Sequence, residues 1–212
     1  MPGAGRVSAL VVHPTNATLG YVLAHGAGAG MGHPFLEAVA ERLAAAGIAT
    51  LRYQFPYMEA KKKRPDPPAV AVAAVRAAVA EAGRAFAGLP LIAGGKSFGA
   101  RMTSTAASET PLPGVRGLAF LGFPLHPPGK PGIARADHLD KVTVPMLFLQ
   151  GTRDDFADGQ LLKQVIVRLG RRAAYHPVEN GDHSFRVPKS AVRSKDVYQE
   201  LTDTITSWAA AL

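Results

Sequence analysis

Leu91-Ile92-Ala93-Gly94-Gly95-Lys96-Ser97-Phe98-Gly99 is the stretch that decides the reading of this chain. An apolar run stops in two glycines, a serine follows at the bend, and a helix-compatible segment comes after. Residues 95–99 fit the pattern G-x-S-x-G, in which a serine occupies a strained strand-to-helix turn and its hydroxyl projects clear of the backbone. Glycine suits the flanks because strand and helix approach closely there. The start of the following helix offers free N–H groups and a positive dipole end, both suited to developing negative charge. Gly95-Lys96-Ser97 also looks like the end of a phosphate-binding loop. That motif needs a glycine five positions before Gly95, where the chain has Pro90, so the nucleotide reading falls.

Outward from this turn, apolar strand-like segments alternate with helical ones. Val7 to Val12, Gly20 to Ala24, Ile48 to Tyr53, Pro90 to Gly94, Gly117 to Phe123, Val144 to Gln150 and Arg172 to Val178 read as strands. Phe35, Leu36, Val39 and Leu43 recur at helical spacing, as do Val72, Val75, Val79 and Phe86 in a segment where Asp66 is expected as the cap and Pro67 as the first residue. Further helices are expected from Phe98 to about Ser108, over Leu161 to Leu169, and at the terminus through Val197, Leu201, Ile205 and Trp208. Such alternation predicts an α/β fold, a mainly parallel sheet with helices on both faces and no separate lid domain, residues 1–212 forming one domain. Ligand sites in such sheets lie at the carboxyl ends of the strands. His25, Ser97, Asp154 and His183 each fall at such an end.

A serine hydroxyl needs a base within hydrogen-bond reach, and the base needs an orienting carboxylate. His183, on the loop after the last strand, is the candidate base. Asp154 is the candidate acid and Asp155 its alternative, while Asp182 reads as a turn residue. The chain order Ser97, Asp154, His183 is one of the orders in which such groups occur. Two backbone N–H groups are expected to face the oxyanion: that of Phe98, and one from the glycine-rich loop His25 to Gly30, Ala27 first and Gly28 second. His25 reads as a hydrogen-bonder that fixes this loop. Phe55, Tyr57 and Phe123 are the candidates for lining an apolar substrate pocket. The long connections Gln54 to Asp66 and Pro124 to Val142 are expected at its mouth.

Composition narrows the alternatives. With 47% hydrophobic and 19% charged residues, the 212-residue chain has the makings of a globular core. It has no cysteine, so thiolate metal sites, disulfides and a cysteine nucleophile are excluded. No clustered His, Asp and Glu set has metal-ligand spacing, and no cofactor or metal is expected. The net charge of +8 is spread along the chain. Its only run, Lys61-Lys62-Lys63-Arg64, has no interleaved aromatics and reads as a solvated loop, so a nucleic-acid partner is not expected. Met1 to Val12 has no leader-like apolar core, and Ala69 to Ala82 is too short to span a bilayer. A cytoplasmic protein without a membrane partner is therefore expected, its oligomeric state left open.

Together these stretches resemble the small α/β-hydrolases grouped with the human testis-expressed protein and the chromatin-complex subunit that share this domain. Dienelactone hydrolases resemble it more distantly. The resemblance rests on residues 25–31 with His33-Pro34-Phe35, on 52–58, 94–97, 124–131, 150–154 and 181–185. It implies an α/β-hydrolase fold, and it places Ser97, Asp154 and His183 at the family's triad positions. Phe98 and Ala100 replace a methionine and a glycine, changes expected to reshape the pocket floor. Ser97 stands where dienelactone hydrolases have cysteine, so their substrate is not implied. Two functions are carried forward: a serine hydrolase of small esters, and an idle α/β-hydrolase domain used for protein interaction.

Overall fold

A computed structural model describes residues 5–191 and 195–212, so the first four residues of the N-terminal stretch considered for a leader lie outside the described residues. Seven strands form one sheet: β1 (Ala9–Val12), β2 (Leu19–Ala24), β3 (Ile48–Tyr53), β4 (Leu91–Lys96), β5 (Val115–Leu121), β6 (Met146–Gly151) and β7 (Ala173–Val178). Their spatial order is β1-β3-β2-β4-β5-β6-β7. Only β1 runs antiparallel, against β3; the other pairings are parallel. The helices are α1 (Pro34–Ala45), α2 (Pro56–Glu59), α3 (Pro68–Ala85), α4 (Phe98–Glu109), α5 (Gly159–Leu169) and α6 (Val197–Ala209).

Every residue of β2 and β3 is buried. This is the pattern of strands covered on both faces, and it explains why they read as continuous apolar runs instead of alternating ones. Side chains along β2 alternate between two cores. Val22 and Ala24 pack with α3, α4 and α5; Tyr21 and Leu23 pack with α1 and α6. The second core takes Phe35, Leu36, Val39 and Leu43 from α1 and Leu201 and Ile205 from α6, as the helical spacing predicts.

One local expectation is corrected. Asp66 does not cap α3: Pro67 holds the cap position, and the Asp66 carboxylate accepts from the Tyr57 N–H at 2.9 Å, fixing α2 instead. The long connection after β5 contains a 3₁₀ helix, Ala134–Lys141, which lies against α4.

Chain direction across the sheet sets the site. From β2 the chain crosses to β3 on one side and then to β4 on the other, so the carboxyl ends of β2 and β4 diverge at a switch point. Ala24 pairs with Gly95 there, which brings the glycine-rich loop beside the serine turn.

Candidate active site

Ser97 sits at φ 50° and ψ −110°, a left-handed conformation that a β-substituted residue adopts only under tertiary constraint. The constraint comes from contacts before and after it. The Ser97 N–H donates to Leu121 O at 3.2 Å, and its carbonyl accepts from the Arg101 N–H at 3.1 Å, the first turn of α4. Gly95 must be glycine because a Cβ there would fall onto the backbone of Ala24. At Gly99 a Cβ would lie 2.7 Å from the Ala24 Cβ, so α4 could not start so close to β2.

The Ser97 hydroxyl lies 2.8 Å from His183 Nε2. The opposite ring nitrogen, Nδ1, is 2.9 Å and 2.8 Å from the two carboxylate oxygens of Asp154. With Nδ1–H donating to the carboxylate, Nε2 is left as the acceptor for the serine proton. Asp154 is buried, and its negative charge is held by further donors: the Phe156 N–H at 2.8 Å on Oδ1 and the Gln150 side-chain amide on Oδ2. Asp155 is exposed, so the choice between neighbours falls on Asp154. Asp182 is the turn residue expected; its Oδ1 accepts from the Ser184 and Arg186 N–H groups, both at 2.8 Å.

On the oxyanion side, the Gly28 N–H is already committed, donating to the Tyr57 hydroxyl at 2.8 Å. Among the described residues no acceptor engages the Ala27 or Phe98 N–H. Both residues adjoin Ser97 or line its cavity. His25 fixes the loop, as expected: its Nδ1–H donates to Gly26 O at 2.7 Å and its Nε2 accepts from the Phe55 N–H at 3.1 Å. Burial lowers its pKa, so the ring is neutral, as those two bonds require.

Ser97 and His183 open onto a cavity of about 580 Å³, lined also by Ala27, Phe35, Phe156, Arg186 and Tyr198. That volume is within the usual range for small-molecule sites. A larger cavity, about 710 Å³, lies between the β1 edge and α3, lined by residues such as Val7, Tyr53 and Ala78, and holds no nucleophile–base pair. The Ser97–His183 pair lines the smaller one.

The expected pocket aromatics are placed elsewhere. Phe55, Tyr57 and Phe123 are buried and do not line the Ser97 cavity. Phe55 packs edge-on against Phe98, with centroids 5.0 Å apart, and Tyr57 supports the glycine-rich loop through Gly28. The substituted positions Phe98 and Ala100 thus join the packing behind the elbow, not an open floor. Phe123 is enclosed by Phe120 and Phe148. Side-chain direction in a loop depends on what packs above it, and no local pattern reports it. For the same reason neither Gln54 to Asp66 nor Pro124 to Val142 lines the cavity. The second loop supports the acid instead. The His126 N–H donates to Phe156 O at 3.0 Å, and its Nε2 accepts from the Asp158 N–H at 2.8 Å.

Sequence reasoning missed Phe156, whose ring stacks on His183 with centroids 4.2 Å apart, and the cavity walls Phe35 and Tyr198. The helical spacing of α1 marked Phe35 as a core residue, and it is one; that it also borders the cavity follows only from where α1 ends. A second serine–histidine contact joins the buried Ser104 Oγ to Nε2 of the half-buried His138 at 2.8 Å. The Ser104 hydroxyl donates to Arg101 O at 2.9 Å, so it accepts from His138 and has no proton left to give it. Among the described residues no group of His, Cys, Asp and Glu could hold a metal ion, and no helix is long and apolar enough to cross a membrane.

A mostly parallel, seven-stranded sheet with a serine at a strained strand–helix turn defines an α/β-hydrolase fold. Residues 17–210 match the family described as the alpha/beta hydrolase domain, and the chain belongs to that family. Solved structures of the same fold include a dienelactone hydrolase from Anabaena variabilis, 19% identical with a TM-score of 0.76, covering 99% of this chain and 93% of that one. A serine hydrolase without a lid from Xanthomonas campestris is 19% identical, with a TM-score of 0.75 over 97% of this chain and 91% of that one. A cold-adapted esterase from an Arctic intertidal metagenomic library is 17% identical, with a TM-score of 0.68 over 95% and 88%.

Proposed function

We propose that this protein is a cytoplasmic serine hydrolase, a carboxylesterase acting on small esters through an acyl-enzyme. The observation that carries the reading is the His183 ring, bonded at Nε2 to Ser97 Oγ and at Nδ1 to the buried Asp154 carboxylate. Ser97 Oγ attacks the ester carbonyl while His183 Nε2 takes its proton. Asp154 holds the tautomer and stabilises the imidazolium. The Ala27 and Phe98 N–H groups receive the oxyanion; removing one such donor costs roughly 3–4 kcal/mol in comparable sites. The imidazolium returns its proton to the leaving alcohol, and the acyl group stays on Ser97. Water then attacks with His183 again as base, and the acid leaves as Ser97 regains its proton.

Support also comes from what an idle domain would not need, namely a serine held in a strained conformation beside a fully partnered base. The test is labelling with a fluorophosphonate probe together with hydrolysis of p-nitrophenyl acetate. Both are expected in the wild type and absent in Ser97→Ala. A folded wild type that neither labels nor hydrolyses any ester of a panel would move the assignment to a protein-interaction domain.

A further inference from the structure

Lys96, the residue before the serine, has a buried ammonium to which no acceptor among the described residues is hydrogen-bonded. Such a charge is costly unless something nearby requires it. Its surroundings are specific. Nζ lies over the Phe185 ring, 5.4 Å from the centroid. It also lies next to Gly122: a Cβ built on Gly122 would be 2.9 Å from Lys96 Nζ and 3.6 Å from both Asp154 Oδ2 and His183 O. The missing side chain of Gly122, at φ +71°, thus leaves room for the Lys96 ammonium beside Asp154 Oδ2.

We propose that Lys96 is a positioning residue that acts through this pair: its ammonium keeps Asp154 ionised and disfavours the imidazolium, so His183 stays an available base to lower pH. The inference rests on the hydrolase reading above. The charged and titratable groups around the pair are Lys96 and Ser97 on the elbow, Asp154 after β6, and Asp182 and Arg186 on the loop of His183. His33 and Tyr198 line the shared cavity. Asp182 is occupied by the backbone of its own turn, which leaves Asp154 as the first of the two carboxylates attracting Lys96. Burial lowers the lysine pKa to about 8, against the pull of Asp154 and Asp182, so the ammonium is the main form below that pH.

The test uses Lys96→Met, which keeps the aliphatic stem and removes the charge. The acid limb of its kcat/KM profile on p-nitrophenyl acetate is expected to move up by roughly one pH unit, since a unit charge at this range in a partly screened site acts on that scale. A stem that merely fills space would leave the limb where it is, and an unmoved limb in a folded variant overturns the proposal. A second measurement does not depend on that variant folding. The ¹⁵N-lysine resonance of Lys96 in the wild type is expected to titrate near pH 8 and to fall further in Asp154→Asn, because coupling between two sites is reciprocal. The absence of that further fall overturns it. Because this titration needs no turnover, missing fluorophosphonate labelling at Ser97 would sink the hydrolase reading without deciding the lysine coupling.

Discussion

Phe156 lies nearly face to face with His183, ring centroids 4.2 Å apart and planes 28° apart. The two residues come from different strand ends, and the backbone of Phe156 donates to the same Asp154 carboxylate that holds the imidazole. One residue therefore fixes the acid through its N–H and the base through its ring. Phe156→Ala is expected to keep the N–H bond but release the ring. A stacked pair is worth about 0.5–1.5 kcal/mol, so kcat on p-nitrophenyl acetate should fall roughly three- to tenfold. Phe156→Leu should recover part of that loss; an unchanged kcat in both would remove the stack from the account.

The Asp154 carboxylate meets His183 through both oxygens, whereas Asp155 is exposed. Asp154→Asn should present an amide to Nδ1 and favour the wrong tautomer. A loss on the order of 10⁴-fold in kcat is the scale for this change. Asp155→Asn should be near wild type. Circular dichroism of both variants shows whether the fold is kept, and the reverse pattern of rates would reassign the acid.

The Tyr57 hydroxyl accepts the Gly28 N–H, one residue from the Ala27 donor. Tyr57→Phe leaves that N–H without its partner and loosens the loop that aims Ala27. The expected cost is about 1 kcal/mol in stability. The rate loss should fall on kcat more than on KM, because the oxyanion contact forms only in the transition state. Urea unfolding and a KM-against-kcat comparison measure the two effects; a change in KM alone would place Tyr57 in substrate binding after all.

Acyl-chain preference tests the cavity. Its walls include Ala27, Leu36, the rings of Phe35, Phe156 and Tyr198, and the charged Arg186. A long acyl chain needs a groove that buries each methylene, worth about 0.8 kcal/mol apiece. Rates on p-nitrophenyl esters should therefore be highest for short chains and decline as the chain grows. A rate that climbs out to long chains would contradict this shape.

His138 carries a pH dependence of stability. Burial first, and the charge of Arg101 second, lower its pKa to about 4 from the usual 6.5. The unfolded chain therefore takes up a proton at a higher pH than the folded one does. The stability is present in full above pH 6.5 and is lost as pH falls from there toward 4. Denaturant midpoints taken across that window should fall with pH, and His138→Gln should flatten the slope. An equal slope in the variant would assign the acid sensitivity to other groups.

The local pattern of the chain was enough for the elbow. Gly95, Ser97 and Gly99 are spaced as a strand-to-helix turn demands, and the steric conflict that excludes a Cβ is a property of that turn. Chain order and strand ends likewise brought Ser97, Asp154 and His183 to one edge before any coordinate, since parallel strands must end on the same side. Helical spacing picked out the buried faces of α1 and α6. Only the tertiary structure decided which way loop side chains point. Asp154 turns inward because its loop is held by His126 and closed by Phe156. Phe55, Tyr57 and Phe123 turn away from the cavity because cores on the far side enclose them. The Lys96 ammonium has room beside Asp154 only because Gly122, just past the end of β5, carries no side chain. Periodicity is a property of neighbours along the chain, whereas these contacts join residues from separate strands, whose placement is set by the order of the sheet.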